Sequence, residues 1–544
     1  MRYFLAGLLV IAGLILGGIG ILQKTAWAPD AQITSSATFD DPGTVIVVEP
    51  GVLNLYQTPA ELMVEGEGEI TIAQASKENV DAWVGASTHT TVTGVDGEGG
   101  LVTEKVDGEE STTPPVAGAD LWNAETTAAS PATLEWDLDA GRTSFVIGTD
   151  GEAPAASKVT LAWPNDTATP WAIPLMVIGA ILIGLGILAG WFNRKKAIRE
   201  AQRRQARQER RKKLAQTGAA FAIVPVIALA GCGSEEVPKA KPSDPPETPV
   251  AVIDDGQTDR ILSQVAETVA AADKDTDAEA LKSRADGPAL QQREAAYKVK
   301  GKAKDAKLPP AVAADEIALN FTAATDQWPR VTELVTKNAE DGSLQLLVLS
   351  QADPRADYKL WAQTVILGGA QIPEVADARQ GAELLPAGAE GLRQTPADTV
   401  KKYAEVLAKG KDAKDAGAYT EDALRKHIAD AQKKQKDTLS EGKAKVEYKY
   451  EGGPEVVAQR TADGGALVTG SIRGTSTITP DKQDERTGEI TLPKTQAEVT
   501  GEKTTKKKLE TEFQYMVTFV VPPGEDGQIT LVGFSEALTG AKLL

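Results

Sequence analysis

Residues 171–213 read WAIPLMVIGAILIGLGILAGWFNRKKAIREAQRRQARQERRKK, and this stretch decides how the chain is organised. Its first part, Trp171 to Phe192, carries no charge. At about 1.5 Å per residue, a helix of that length crosses a hydrocarbon core of about 30 Å. Trp171, Trp191 and Phe192 mark its ends, where aromatic rings favour the membrane interface. Pro170 and Pro174 fall in or near the first turn, where a missing N–H costs least. The second part, 193–213, holds eleven Lys/Arg against Glu200 and Glu209. Lys and Arg beside a span stay on the cytoplasmic side. Topology and contact with anionic headgroups therefore explain this block better than a nucleic-acid or calmodulin-type patch does.

Upstream, Phe4 to Leu22 is a second uncharged run, of 19 residues, preceded by Arg2. Between the runs, 23–169 has five Lys/Arg and 24 Asp/Glu, a balance that fits the outer side. The expectation is a chain that leaves through 4–22 and returns through 171–192, placing 23–169 outside and 193–213 in the cytoplasm. Ala26-Trp27-Ala28 has the small-x-small form of a signal cleavage site. Pro29 would follow the cut, which is unfavourable, and the run is long for a signal peptide, so a retained anchor is expected.

Downstream, 214–232 reads LAQTGAAFAIVPVIALAGC. Its apolar part, Gly218 to Gly231, contains Pro225 and is short for a span. A short apolar run after a basic one is typical of a secretory signal. It ends Leu229-Ala230-Gly231-Cys232, which resembles the lipobox of bacterial lipoproteins at all four positions. The resemblance implies diacylglycerol on the Cys232 thiol and cleavage between Gly231 and Cys232. In that family the lipobox is N-terminal; here it is internal. Three outcomes follow: a chain cut into 1–231 and 232–544, a whole chain with a short third span, or a second half with its own translation start. All three put 233–544 outside the cytoplasm. Residues 233–252 are Pro-rich and charged and read as an extended tether. The Ala/Gly-rich, Met- and Cys-poor usage resembles that of actinobacteria.

Composition narrows the rest. The chain has 544 residues, enough for two to four domains. A net charge of −19 and 5% aromatic residues argue against a nucleic-acid partner. Cys232 is the only cysteine and there are two histidines, so neither an intramolecular disulfide nor a His/Cys zinc site is expected.

Residues 31–168 hold short β-rich runs at 44–55, 60–73, 81–86, 88–95, 133–138, 143–148 and 158–163, separated by Gly, Pro and Asp clusters. This spacing predicts an extracytoplasmic all-β sandwich, with 104–131 as a long polar loop. Residues 253–390 and 391–544 read as two copies of one α+β unit. A slide of about 138 residues aligns Val265-Ala266-Glu267 with Tyr403-Ala404-Glu405, and Asp277 with Asp415. Each copy starts with an amphipathic helix, in 259–285 and 398–424, and continues with strands. Helices followed by a curved antiparallel sheet make each unit similar to the nuclear-transport-factor-two-like cone, which implies a pocket that in some members is catalytic and in many binds a ligand or partner. The expected fold class is thus a multi-domain membrane protein, with transmembrane helices, a sandwich and two cone-like α+β domains.

No nucleophile or phosphate-loop motif is present. His427, in RKHIADAQKKQKD, reads as a solvated helix residue, and His89 as an exposed or satisfied strand residue. Asp273 to Asp277 imitates the start of a calcium loop, but Ala278 and Arg284 stand where Gly and Glu are needed. KTTKKK (503–508) reads as an edge guard that could also touch anionic wall polymer. The expected function is non-enzymatic binding or scaffolding at the outer face of the cytoplasmic membrane, without cofactor or metal, the partners being the bilayer and an envelope protein or wall polymer. The alternatives are a pocket-containing carrier or hydrolase of wall or lipid ligands, and a two-span sensor.

Overall fold

The computed structural model describes residues 2–138, 142–205, 238–240, 251–374, 381–442, 444–483 and 486–544. Cys232, Gly231 and the whole 214–232 segment lie outside the described residues.

Two helices, α1 (Arg2–Lys24) and α3 (Ala172–Gln205), are long and apolar enough to cross a membrane. They run antiparallel and touch through small residues. A Cβ built on Gly13 would lie 2.6 Å from the Gly179 carbonyl oxygen, and one on Gly20 2.6 Å from that of Ala172. One on Gly186 would lie 2.8 Å from the Ala6 oxygen. Positions 6, 13 and 20 repeat every seven residues, as do 172, 179 and 186, so a continuous seam of small residues lets the backbones approach. The other faces expose Phe4, Ile11, Leu14, Ile173, Ile181 and Ile187.

Between the helices, ten strands form two sheets around one core. These are β1 (Gln32–Thr38), β2 (Val45–Val48), β3 (Ala60–Glu65), β4 (Glu69–Ser76), β5 (His89–Val95), β6 (Leu101–Val106), β7 (Ala124–Ala129), β8 (Ala132–Trp136), β9 (Thr143–Gly148) and β10 (Lys158–Pro164). One sheet has the order β1-β10-β3-β8, the other β6-β5-β2-β9-β4-β7. Leu62, Val64, Leu161 and Trp163 of the first meet Ile46, Val48, Ile72 and Phe145 of the second in one buried cluster. Each large apolar side chain buried there contributes about 1.5–3 kcal/mol.

Two expectations are corrected here. Residues 81–86 are not a strand but belong with helix α2 (Lys77–Val84). Ser76 caps it by accepting from the Asn79 N–H, and Val80, Trp83 and Val84 bury one face at helical spacing. Residues 104–131 are not all loop, because β6 and β7 occupy both ends. Both are edge strands whose mostly exposed side chains carry no apolar alternation to reveal them.

The remainder starts with α4 (Asp255–Asp275), α5 (Ala278–Leu281) and α6 (Gly287–Lys302), then β11 (Glu316–Thr322), β12 (Arg330–Lys337), β13 (Leu344–Gln351) and β14 (Lys359–Ile366). Next come α7 (Pro396–Lys409), α8 (Ala423–Gly442), β15 (Ala444–Arg460) and β16 (Ala466–Pro480). Two small ladders, β17 (Lys482–Gln483) with β18 (Arg486–Thr487) and β19 (Ile490–Thr491) with β20 (Thr504–Thr505), flank α9 (Lys494–Thr500). β21 (Leu509–Val521) and β22 (Thr530–Leu543) finish the chain. Each half is thus helices followed by a four-stranded antiparallel meander.

The halves are not separate bodies. Their strands form one eight-stranded half-barrel sheet of order β11-β12-β13-β14-β22-β21-β16-β15. The last strand of each half pairs antiparallel with the other, Val365 against Phe534 and Ile366 against Gly533. The strand order therefore reads inward from both edges, as in a two-fold pair made within one chain. The core crosses the join, since Leu467, Met516 and Val532 pack with Val335, Leu346 and Leu360.

Candidate functional site

The space beneath the helices differs between the halves. The equivalent space, between α6 and the strands of its own half, is filled, while a cavity of about 480 Å³ opens on the other side of α6 against β15, β16 and β21. Arg293 is buried and donates to Asp273, to the Pro310 carbonyl (2.7 Å) and to Gln363 Oε1 (2.8 Å). Tyr297 donates to Asp273 Oδ1 at 2.6 Å, and Gln363 Nε2 donates to Gln345 Oε1 at 2.9 Å. Guanidinium, carboxylate and amides satisfy one another, as buried polar groups must.

Under α8 the space is open. A cavity of about 430 Å³ lies between α8 and the facing side of β15, β16, β21 and β22. Ladder register explains its walls. Ser476 stands between Tyr448 and Thr511, Gly474 between Tyr450 and Phe513, and Tyr515 opposite Glu536. Directly opposed residues share a face, so all of these point to α8. Gly474 is required in the middle. A Cβ there would meet the Tyr515 ring at 2.9 Å and the Tyr450 ring at 3.0 Å. The helix contributes His427, Ala431, Lys434, Gln435 and Thr438, a stripe at helical spacing. Pro493 and Gln496 also line it.

The polar groups are few and placed. Gln432 Nε2 donates to the Tyr450 hydroxyl at 3.1 Å, and the Tyr448 hydroxyl donates to Gln435 Oε1 at 2.6 Å. His427 Nε2 lies 3.2 Å from Glu536 Oε2. Burial raises the Glu536 carboxyl above its ordinary range, and the neighbouring His427 pulls it partly back. Burial also raises Tyr450 and pushes the Tyr448 hydroxyl up to about 12, so the cavity holds neutral phenols as donors near neutral pH. Mostly apolar walls with a few fixed donors and one acid–base pair suit a small, partly apolar molecule.

His427 is an exposed helix residue, as its sequence context suggested, and its ring also faces the Glu536 carboxylate at the cavity wall. The carboxylate comes from the last strand, over a hundred residues away, so no local pattern announced it. His89 stays apart, with Nδ1 2.8 Å from the Ser87 carbonyl. The Asp273–Asp277 stretch ends α4 with Thr276 in the left-handed region and caps α5 through Asp277. No cluster of three or more His, Cys, Asp and Glu suited to a metal occurs among the described residues.

No curated protein sequence matches the chain. One family does match, over residues 249–543, which is more than half of the length and contains the whole half-barrel sheet and the cavity. The chain belongs to that family, described as a domain of unknown function (DUF8094).

Proposed function

We propose that the chain is an envelope protein of the cytoplasmic membrane that binds a small, partly apolar ligand outside the cell, without catalysing its conversion. The aromatic-walled cavity under α8 carries this reading, because its counterpart under α6 is plugged by Arg293 while this one is kept open by Gly474. A saturable rise in N-phenyl-1-naphthylamine fluorescence on the full-length protein, lost in Ser476→Phe, tests it. No saturable signal, or one untouched by Ser476→Phe, removes the ligand-binding reading. The His427–Glu536 pair favours a second reading, a hydrolase or carrier of wall or lipid ligands in which one of the two moves a proton.

The same proposal places 23–169 and 233–544 outside and 193–213 in the cytoplasm. The sandwich joins the C-terminal end of α1 and the N-terminal end of α3, while the basic block continues from the far end of α3. The 251–544 unit hydrogen-bonds to the sandwich, so both belong on one side. A return crossing between 205 and 251 is then required, and the third apolar segment, 214–232, falls there. In this reading Cys232 bears diacylglycerol after a cut at Gly231–Cys232. Blots of doubly tagged protein test this: two fragments in wild type and one in Cys232→Ala support it, and one full-length band in both removes it.

A further inference from the structure

We infer that the sandwich and the 251–544 unit form a stable complex that does not need the peptide connection between them. The partner of the half-barrel unit is the sandwich of its own chain, and a cut anywhere in 241–250 or at Cys232 would leave a two-piece membrane assembly.

The contacts are built, not incidental. Asp120, in the β6–β7 connection, is fully buried and pairs with Arg284 of the half-barrel unit. The same carboxylate oxygen accepts the Tyr358 backbone N–H at 2.7 Å. A buried carboxylate is tolerated only where it is paired and hydrogen-bonded, and here both partners come from the other unit. Arg355 uses four donor contacts on the sandwich: the carbonyls of Trp83 (2.7 Å) and Val84 (2.9 Å), Ser87 Oγ (2.6 Å) and Glu110 (2.7 Å). Those two carbonyls end α2, where intrahelical partners run out and positive charge is favoured. Arg330 donates to Asn79 at 2.8 Å while lying 3.8 Å over Trp328, and Trp328 packs on the sandwich cluster that holds Trp83 and Trp122. At the start of α4, Gln257 donates to the carbonyls of Asp120 and Leu121, and Arg260 to that of Trp122 at 2.6 Å. Four arginines of one unit thus dock on the strongly acidic 23–169 segment, with a pair of buried tryptophans beneath.

Contacts that merely accompany a tether are rim-exposed and replaceable. These include a buried carboxylate, Asp120, whose charge partner and backbone donor both lie on the other unit, so the sandwich alone would leave it unpaired. The inference is independent of lipid attachment, since every contact lies in residues outside 206–237.

The test uses full-length Cys232→Ala protein with a site-specific protease site inserted after Asp244, purified in detergent with tags on both termini. After cutting, both fragments should co-elute on size exclusion and be held by either tag at 0.15 M salt. Arg355→Glu, at the edge of the interface, combined with Arg330→Glu should raise the dissociation rate at least tenfold. Separation of the wild-type fragments with each retaining its folded circular-dichroism signal overturns the inference. So does co-elution that the two charge reversals leave unchanged, because another surface would then be holding the pieces. The Cys232→Ala background makes either result indifferent to whether natural cleavage occurs.

Discussion

Glu333 sits in the middle of β12 with none of its surface exposed, and neither carboxylate oxygen has a hydrogen-bond partner among the described residues. Burial alone pushes its pKa from 4.5 up to about 8. The folded state therefore keeps a proton that the unfolded chain releases above about pH 4.5. Below that value both states are protonated and nothing is lost. Stability then falls as pH rises, by about 1.4 kcal/mol per unit, until the folded carboxyl itself ionises near pH 8. The loss amounts to about 3 kcal/mol at pH 7 and about 5 kcal/mol above pH 8. Glu333→Gln keeps the shape and neutral polarity and removes the titration. Hydrogen exchange of β12–β13 peptides in the full-length protein reads this locally, after correction for intrinsic rates. Wild-type protection should drop by roughly a thousandfold between pH 5 and pH 8 relative to Glu333→Gln. Parallel pH dependence in the two proteins would refute the reasoning.

Removing one partner of the buried Asp120–Arg284 pair, as in Arg284→Met, should weaken docking of the sandwich by about 3–5 kcal/mol, and Asp120→Asn on top should recover part of it in a double-mutant cycle. Gly13→Leu should separate α1 from α3, read as a lower melting temperature of the full-length protein in detergent, whereas Gly7→Leu, with open space around it, should leave the melting temperature unchanged. Gly474→Ala should crowd the Tyr450 and Tyr515 rings and lower affinity for the naphthylamine probe roughly tenfold, a change of about 1.4 kcal/mol. Glu536→Gln should alter the pH dependence of probe binding, because burial raises the Glu536 carboxyl above its usual range beside His427.

Uncharged length alone made α1 and α3 legible, and short β-rich runs set between Gly, Pro and Asp clusters made β3, β5, β9 and β10 legible. The slide that relates 265–267 to 403–405 pointed to two similar units, because the same amphipathic stripe recurs in both. That the units share one sheet was not legible. It depends on a two-residue ladder, Val365–Ile366 with Gly533–Phe534, between strands far apart in the chain. Exposed edge strands β1, β6, β7 and β11 were missed for lack of a buried face, and α2 was missed because Trp83 and its neighbours read as strand formers. No local pattern in the sequence marked the cavity. Its character depends on register, which sets Tyr448, Tyr450, Phe513 and Tyr515 on one face, and on a glycine whose role appears only between two rings. The docking arginines 260, 284, 330 and 355 looked like ordinary surface charge, since nothing local marks a guanidinium whose acceptor lies 138 to 272 residues away.

The central claim is that the half-barrel unit lies on the same outer face as the sandwich. A single cysteine at Glu525, in the β21–β22 connection of a Cys232→Ala chain, tests it with a membrane-impermeant maleimide on intact cells. The account predicts labelling in intact cells equal to that of a cysteine placed at Glu98 of the sandwich, with a cysteine at Arg199 labelled only after permeabilisation. Labelling at Glu525 that appears only after permeabilisation would contradict it.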